Sequence, residues 1–432
     1  MKVCVIGLWH LGTVTAACLA SGGHQVSGLD FDETVIANLK NGKPALFEPG
    51  LEDLVKKGLK SGALDFSTSP AQAVHDAQVI WVAYDTPVDD DDNADVDYVI
   101  ERVSRLFPYL QTGQAVLISS QLPVGTSRHL EDLFAQARPG VDVSFSYSPE
   151  NLRLGKAISV FTQPDRVIIG IRSEKSRKIF SDLLAPFTDR IEWMSVESAE
   201  MTKHALNAFL AISITFINEI AAICEQVGAD AKEVERGLKS EARIGPKAYL
   251  GPGGAFSGGT LARDIAFLTQ LGQQNNIPLH LVPSVRTSNE AHKNWPRRRL
   301  TQILGTLRGK TIAVWGLTYK PGTDTLRRSS AVELCQWLVA QGARVQAHDP
   351  AVKNLPEQLA AIHLCASAAE AAQGADALVI ATEWPEYRVV SMPDVLKSMR
   401  SALILDANRF LAAAVEPLPN ATYLAVGKAV KA

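Results

Sequence analysis

The stretch "KVCVIGLWHLGTVTAACLASGGHQVSGLDF", residues 2–31, decides the reading of the fold. An apolar run ends at Gly7, a helical pattern of small residues opens at Gly12, and a second apolar run closes on Asp30. Strand, helix and strand in that order make a βαβ unit with parallel strands. Glycines where the first strand turns into the helix let the backbone approach a pyrophosphate at the helix N-terminus. The acid comes 30 − 7 = 23 residues after Gly7, placed to accept the ribose hydroxyls of a dinucleotide, and it favours NAD over NADP. Gly7, Trp9, His10, Leu11, Gly12 and Asp30 are therefore the expected cofactor residues of this turn. Trp9 stands where the fingerprint has its middle glycine. It fits if its φ is negative and its side chain points away, and a positive φ there costs about 1 to 3 kcal/mol of strain.

Outward from this unit the alternation continues to about Ser195, with strands expected in "QVIWVAYD", "AVLISSQL", "VSFSYS", "RVIIGI" and "IEWMS". From about Val196 to Asn294 the pattern turns helical, broken chiefly by "GGAFSGGTLARD", residues 253–264. From Gly309 the alternation returns in "KTIAVWGL", "ARVQAHDP", "ADALVIATEW", "SALILDAN" and "ATYLAVG". The expectation is an α/β protein. Two Rossmann-like, doubly wound, mostly parallel sheets, 1–195 and 301–432, are joined by a helical domain, 196–300. The second sheet opens on "GLTYKPGTD" without a glycine fingerprint, so it is not expected to be a second NAD site.

A formal charge of −3 and 46% hydrophobic residues give no bulk attraction to nucleic acid or anionic membrane, and a small-molecule partner is the better expectation. The five cysteines, Cys4, Cys18, Cys224, Cys335 and Cys365, are scattered and show neither disulfide nor metal-ligand spacing. No metal is expected. The run Asp89 to Asp92 reads as a solvated acidic loop rather than a calcium site. The apolar residues 205–224 approach a membrane span in length, but Asn207, Asn218 and Glu219 interrupt them, which favours a buried helix. A first strand without a charged leader points to a cytoplasmic protein.

Longer segments carry a more specific likeness. "DTPVDDDDNADVDYV" (85–99), "SSQLPVGTSR" (119–128), "SPENLRLGKAISVFTQPDRVIIG" (148–170), "AEMTKHALNAFLAISITFINE" (199–219), "ARIGPKAYLGPGGAFSGGTLARD" (242–264), "GLTYKPGTDTLRRSS" (316–330) and "TEWPEYR" (382–388) occur in this order. Together they resemble the UDP-glucose/GDP-mannose dehydrogenase family along nearly the whole chain. The resemblance implies NAD-dependent oxidation of a nucleotide sugar, most simply the C6 alcohol of a UDP-hexose towards the uronate, as in polysaccharide precursor synthesis. It also implies that 301–432 holds the nucleotide part of the sugar nucleotide, and that the protein is a homodimer through the central helices.

By the same likeness Glu150 assists thioester hydrolysis, Lys203 stabilises developing oxyanions with Asn207 beside it, and Asp264 holds a catalytic water. Thr86, Gln121, Glu150, Arg263 and Arg327 join the cofactor set. Leu152, Tyr249, Gly253, Phe256, Gly258 and Lys320 join Glu150, Lys203 and Asn207 at the substrate, with Arg327 resembling a substrate-side cation as well. Arg243 is implied to reach the neighbouring subunit's substrate. Lys203, Asn207 and Leu210 fall at i, i+4 and i+7 on one helix face.

The departures cluster at the chemistry. The family's nucleophilic cysteine aligns with Thr260, its following lysine with Arg263, its S-T-x-P threonine with Gln121, its phenylalanine with Asn151 and a later acid with Leu154. No cysteine lies between Cys224 and Cys335. An aldehyde gives hydride only after a nucleophile has added to it, and a threonine hydroxyl is a weak nucleophile without a strong base. Three outcomes therefore stand open: a four-electron oxidation through a hydrate or a Thr260 hemiacetal, a two-electron reaction that stops at the carbonyl or runs as a reductase, and binding of NAD or sugar nucleotide without turnover.

Overall fold

A computed structural model of the chain describes residues 1–89, 94–150, 152–257 and 259–429. It divides into two compact units, Met1–Leu206 and Asn207–Ala432.

The first unit is built on eight strands: β1 (Lys2–Ile6), β2 (Gln25–Leu29), β3 (Leu64–Ser67), β4 (Val79–Val82), β5 (Ala115–Ile118), β6 (Ser144–Tyr147), β7 (Val167–Gly170) and β8 (Ile191–Met194). Their order is β3-β2-β1-β4-β5-β6-β7-β8, parallel throughout except for a single antiparallel bridge between β6 and β7. Side chains alternate between the faces. Val3 and Val5 enter one apolar cluster while Cys4 and Ile6 enter the other, so helices must cover both faces. The helix His10–Ser21 is buried along nearly its whole length. It lies so close to the first turn that a β-carbon on Gly12 would stand 1.9 Å from the Gly7 carbonyl oxygen, which only glycine allows.

The second unit carries β9 (Thr311–Trp315), β10 (Arg344–His348), β11 (Ile362–Leu364), β12 (Ala377–Ile380), β13 (Leu403–Asp406) and β14 (Thr422–Leu424). Their order, β11-β10-β9-β12-β13-β14, repeats the arrangement of the first six strands of the other sheet. Ala221, Cys224, Trp295 and Leu300 from the helical stretch share an apolar cluster with Ile312, Val314 and Val345. The helices after residue 206 thus pack onto this sheet. β3 and β11 were not expected from the sequence, and each is a short edge strand with a charged or polar residue at its centre, Asp65 and His363.

The long helix Val196–Val227 contains the apolar residues 205–224 and is long and apolar enough to cross a membrane. Its interrupting amides have partners in the fold: Asn207 donates to the Asp264 carboxylate, and Asn218 accepts the Gly253 N–H at 3.0 Å. Near its start Glu200, fully buried, accepts the N–H groups of Gly125 at 2.7 Å and Ser127 at 3.0 Å. That carboxylate satisfies two otherwise unpaired donors at the start of the helix Thr126–Ala137 and meets the positive end of its dipole.

Candidate active site

In the first unit the turn after β1 is closed by the acid after β2. Asp30 accepts the Leu8 N–H at 2.7 Å through one oxygen and the Asp32 N–H at 3.1 Å through the other. Each oxygen keeps a lone pair, and the side chain is only part-buried, so the carboxylate is fixed yet able to accept from a ribose. Gly7 holds φ +89°, as the turn requires. Trp9 has φ −76° and is 48% exposed, so the non-glycine residue costs no left-handed strain and its indole leaves the backbone accessible. His10 opens the helix and its Nε2 lies 3.1 Å from buried Glu48, which also accepts the N–H groups of Gly155 and Ala157. Leu11 is buried. These features fit a dinucleotide pyrophosphate at the helix N-terminus.

Also in this unit, Thr86 donates its hydroxyl to the Gln121 carbonyl at 2.8 Å, which ties the loops after β4 and β5. The buried ammonium of Lys203 donates to the backbone carbonyl of Glu150 and lies 3.8 Å from its carboxylate. Leu152 packs against the cluster around the first helix. Asn151 and residues 90–92 of the acidic run lie outside the described residues.

In the second unit the glycine-rich segment is held by its backbone. Asn218 accepts from Gly253 N–H at 3.0 Å and donates to the Gly254 carbonyl at 3.4 Å. Asn289 accepts from Phe256 N–H at 3.0 Å and donates to the Phe256 carbonyl at 2.9 Å. His292 Nε2 lies 2.7 Å from the Gly253 carbonyl, and Asn408 accepts the Gly254 N–H at 2.7 Å. Burial pushes the His292 imidazole below its usual range, against the pull of that carbonyl. Four side chains thus satisfy a loop whose polar groups would otherwise need water. Gly258 lies outside the described residues. Thr260 is the exposed first residue of the helix Thr260–Gln274, whose positive dipole end lies at this loop. One turn on, Asp264 is fully buried and accepts from Asn207. Arg263 is part-buried, while Tyr249 and Arg243 are exposed.

The turn after β9 repeats the first unit's design with one change. Gly316 has φ +91°, and Asp349 stands after β10 as Asp30 does after β2. Asp349, however, is buried, and its oxygens take the N–H groups of Leu317, Thr318 and Ala351, the Thr318 hydroxyl and the Trp384 indole N–H. One oxygen takes every donor but the Ala351 N–H and the other is buried with it, so the carboxylate is closed to a ribose by burial. Beside it, at the carboxyl ends of β9, β12 and β13, opens a cleft lined by Thr318, Lys320, Ser330, Thr382, Glu383 and Asn408 among others. The switch in strand order between β9 and β12 is where such sheets bind ligands. Lys320 lies in the lining, whereas exposed Arg327 does not appear there among the described residues.

Family models match in register with these parts: the NAD binding domain of the UDP-glucose/GDP-mannose dehydrogenase family over residues 1–188, its central domain over 197–291 and its UDP binding domain over 313–413. The chain belongs to the UDP-glucose/GDP-mannose dehydrogenase family. It is an NAD-dependent oxidoreductase that acts on a nucleotide sugar. The UDP-glucose 6-dehydrogenase of Pseudomonas aeruginosa is 35% identical over 429 residues, covering 96% of this chain and 94% of its own length. That of Rhizobium meliloti is 36% identical over 414 residues, 94% of each. Among solved structures, a UDP-glucose dehydrogenase from Pyrobaculum islandicum superposes with a TM-score of 0.87 at 28% identity, over 99% of this chain and 98% of the other.

In this dehydrogenase, sequence reading missed the residues that hold the glycine segment. Asn218 lies inside "AEMTKHALNAFLAISITFINE", where it stands only as a polar interruption of the apolar run. Glu383 lies inside "TEWPEYR", where nothing marked its direction, and Asn289, His292 and Asn408 carry no local pattern. Asp30→Ala should weaken NAD binding by about 1 to 3 kcal/mol, as for losing charge-assisted hydrogen bonds. Trp9→Gly should change it by less than about fivefold, since no strain is relieved and only chain entropy is added. Calorimetric titration with NAD checks both, and unchanged affinity in Asp30→Ala contradicts the placement of the cofactor.

Proposed function

We propose that the dehydrogenase oxidises the C6 alcohol of a UDP-hexose, UDP-glucose first among candidates, to the uronate, and that it does so without a covalent enzyme adduct. The sugar follows the names of the relatives with the highest identity given above. The absence of a thioester follows from one observation: position 260 is a threonine, and the chain has no cysteine between Cys224 and Cys335. The five cysteines elsewhere are buried. Burial raises all their thiols, Cys18 and Cys335 to about 12 and Cys365 to about 11, so none offers a thiolate near neutral pH.

When bound, NAD supplies the hydride acceptor for each oxidation. The remaining work falls to side chains. Lys203 is assigned to the oxygen that gains negative charge, and Glu150 and Asp264 to the proton and to a water. Asn207, hydrogen-bonded to Asp264, fixes the carboxylate that directs this water. Water adds across the aldehyde C=O to give a gem-diol, which then loses its C–H hydrogen as hydride and one hydroxyl proton to a base. The product is the carboxylic acid. Arg243 and the exposed apolar stripe Phe209, Phe216, Ile223 and Val227 on the long helix support pairing with a second copy. A monomeric mass by light scattering at micromolar concentration, with full activity, would contradict that pairing.

A hydrate forms less readily than a thiohemiacetal, so the first oxidation should outrun the second and free aldehyde should be trappable. The test counts NADH formed per UDP-glucose consumed and identifies the sugar product by mass spectrometry. Two NADH with a uronate is the expected end point. One NADH with a carbonyl product places the chemistry at two electrons, and none places the chain among binding proteins. Thr260→Cys should speed oxidation of supplied aldehyde, and no gain there contradicts the alignment of Thr260 with the nucleophile.

A further inference from the structure

The glycine-rich segment meets the cleft of the second sheet: Gly254, Ala255 and Ser257 line it, as do His292, which holds the Gly253 carbonyl, and the linked pair Glu383 and Asn408. Glu383 follows β12 and Asn408 follows β13, and both line the cleft. Asn408 Oδ1 accepts the N–H of Gly254 at 2.7 Å, while its amide is hydrogen-bonded to the Glu383 carboxylate. The approach is close: a β-carbon on Gly253 would stand 2.0 Å from that oxygen. Asn408 is itself anchored by its neighbour. Arg409 holds φ +59°, a left-handed conformation that a non-glycine residue keeps only when its surroundings impose it. Its guanidinium makes a two-pronged ion pair with Asp230 at 2.6 and 2.9 Å. Asn218 and Asn289 hold the same segment but are absent from the cleft lining. Asn408 and Glu383 are thus placed to sense an occupant and touch the loop at once.

We infer that Glu383 and Asn408 are positioning residues which carry occupancy of the nucleotide cleft to the segment leading into Thr260 and Asp264. The inference rests on reading that cleft, in the part that matches the family's UDP binding domain, as the seat of the substrate's nucleotide. An occupant excludes water from the Glu383–Asn408 and Asn408–Gly254 hydrogen bonds, which strengthens both in the lower local dielectric. Burial and the Asp406 charge already raise the Glu383 carboxyl, and the Asn408 bond opposes them. The Gly253–Gly254 backbone, already held by Asn218 and His292, is restrained further when the nucleotide half is filled. Binding energy from the part of the substrate that does not react would in this way order the part of the protein that does the chemistry.

Amide hydrogen exchange of the full chain, with and without UDP, tests this, with UDP affinity measured by calorimetry on the same samples. In the unaltered protein UDP should slow exchange across residues 250–257 by at least about fivefold. In Asn408→Ala, and independently in Glu383→Ala, that slowing should be lost while the Kd for UDP changes by less than about fivefold. Glu383→Gln keeps an acceptor for the Asn408 amide and should retain it. With UDP-sugar, Asn408→Ala should lower kcat more than it raises KM. Undiminished protection in both alanine variants, or none in the unaltered protein despite UDP binding, overturns the inference. A parallel loss of affinity makes the pair an ordinary binding contact and overturns it too. Failure of the unaltered protein to bind UDP removes the nucleotide reading itself, and calorimetry alone reports it.

Discussion

In each sheet an acid from the end of the second strand closes the turn that follows the first strand, and the division of labour between the two units depends on that clasp. Asp30 and Asp349 do the same structural work, accepting backbone N–H groups from the turns after β1 and β9. They differ in what is left over. Asp30 spends one hydrogen bond per oxygen and stays part-buried, whereas Asp349 is buried and takes five donors. The same frame therefore leaves an accessible carboxylate in one unit and a buried one in the other. A ligand at the second sheet must be recognised by other groups, and the cleft beside β9 offers Lys320 and a row of hydroxyls.

The glycine segment shows a second economy. Its backbone is gripped by amide and imidazole side chains from the long helix, from the helix Leu281–Lys293 and from the end of β13. Glycine at 253 gives Asn408 the space to reach the chain. The segment is thus a fixed lead-in to the helix that carries Thr260 and Asp264, and what that helix lacks is the thiol. On the proposed reading the chemistry changes while the residues that hold the segment stay in place.

Much of this was legible in the sequence because it rests on local pattern. Every strand with a continuous apolar core was found, together with the first turn, Asp30 and the helix that carries Lys203 and Asn207. β3 and β11 escaped because an edge strand of four or three residues with a polar centre offers too little periodicity. The φ of Trp9 was posed as a condition and is settled only by the backbone. The role of Asp349 was hidden because an acid after an apolar strand looks the same whether its oxygens are accessible or buried. Glu200, Asn289, His292 and Asn408 were illegible for a related reason: each acts on backbone 33 to 154 residues away, and no spacing rule reaches that far.

The central claim is that an aldehyde is made into a hydride donor here without a bond to the protein. Intact-mass spectrometry of acid-quenched enzyme, sampled during turnover with NAD and UDP-glucose, tests it most directly. The protein mass should stay unchanged at every time point while uronate accumulates. A population heavier by the acyl-sugar nucleotide, on Thr260 or any cysteine, would contradict the account.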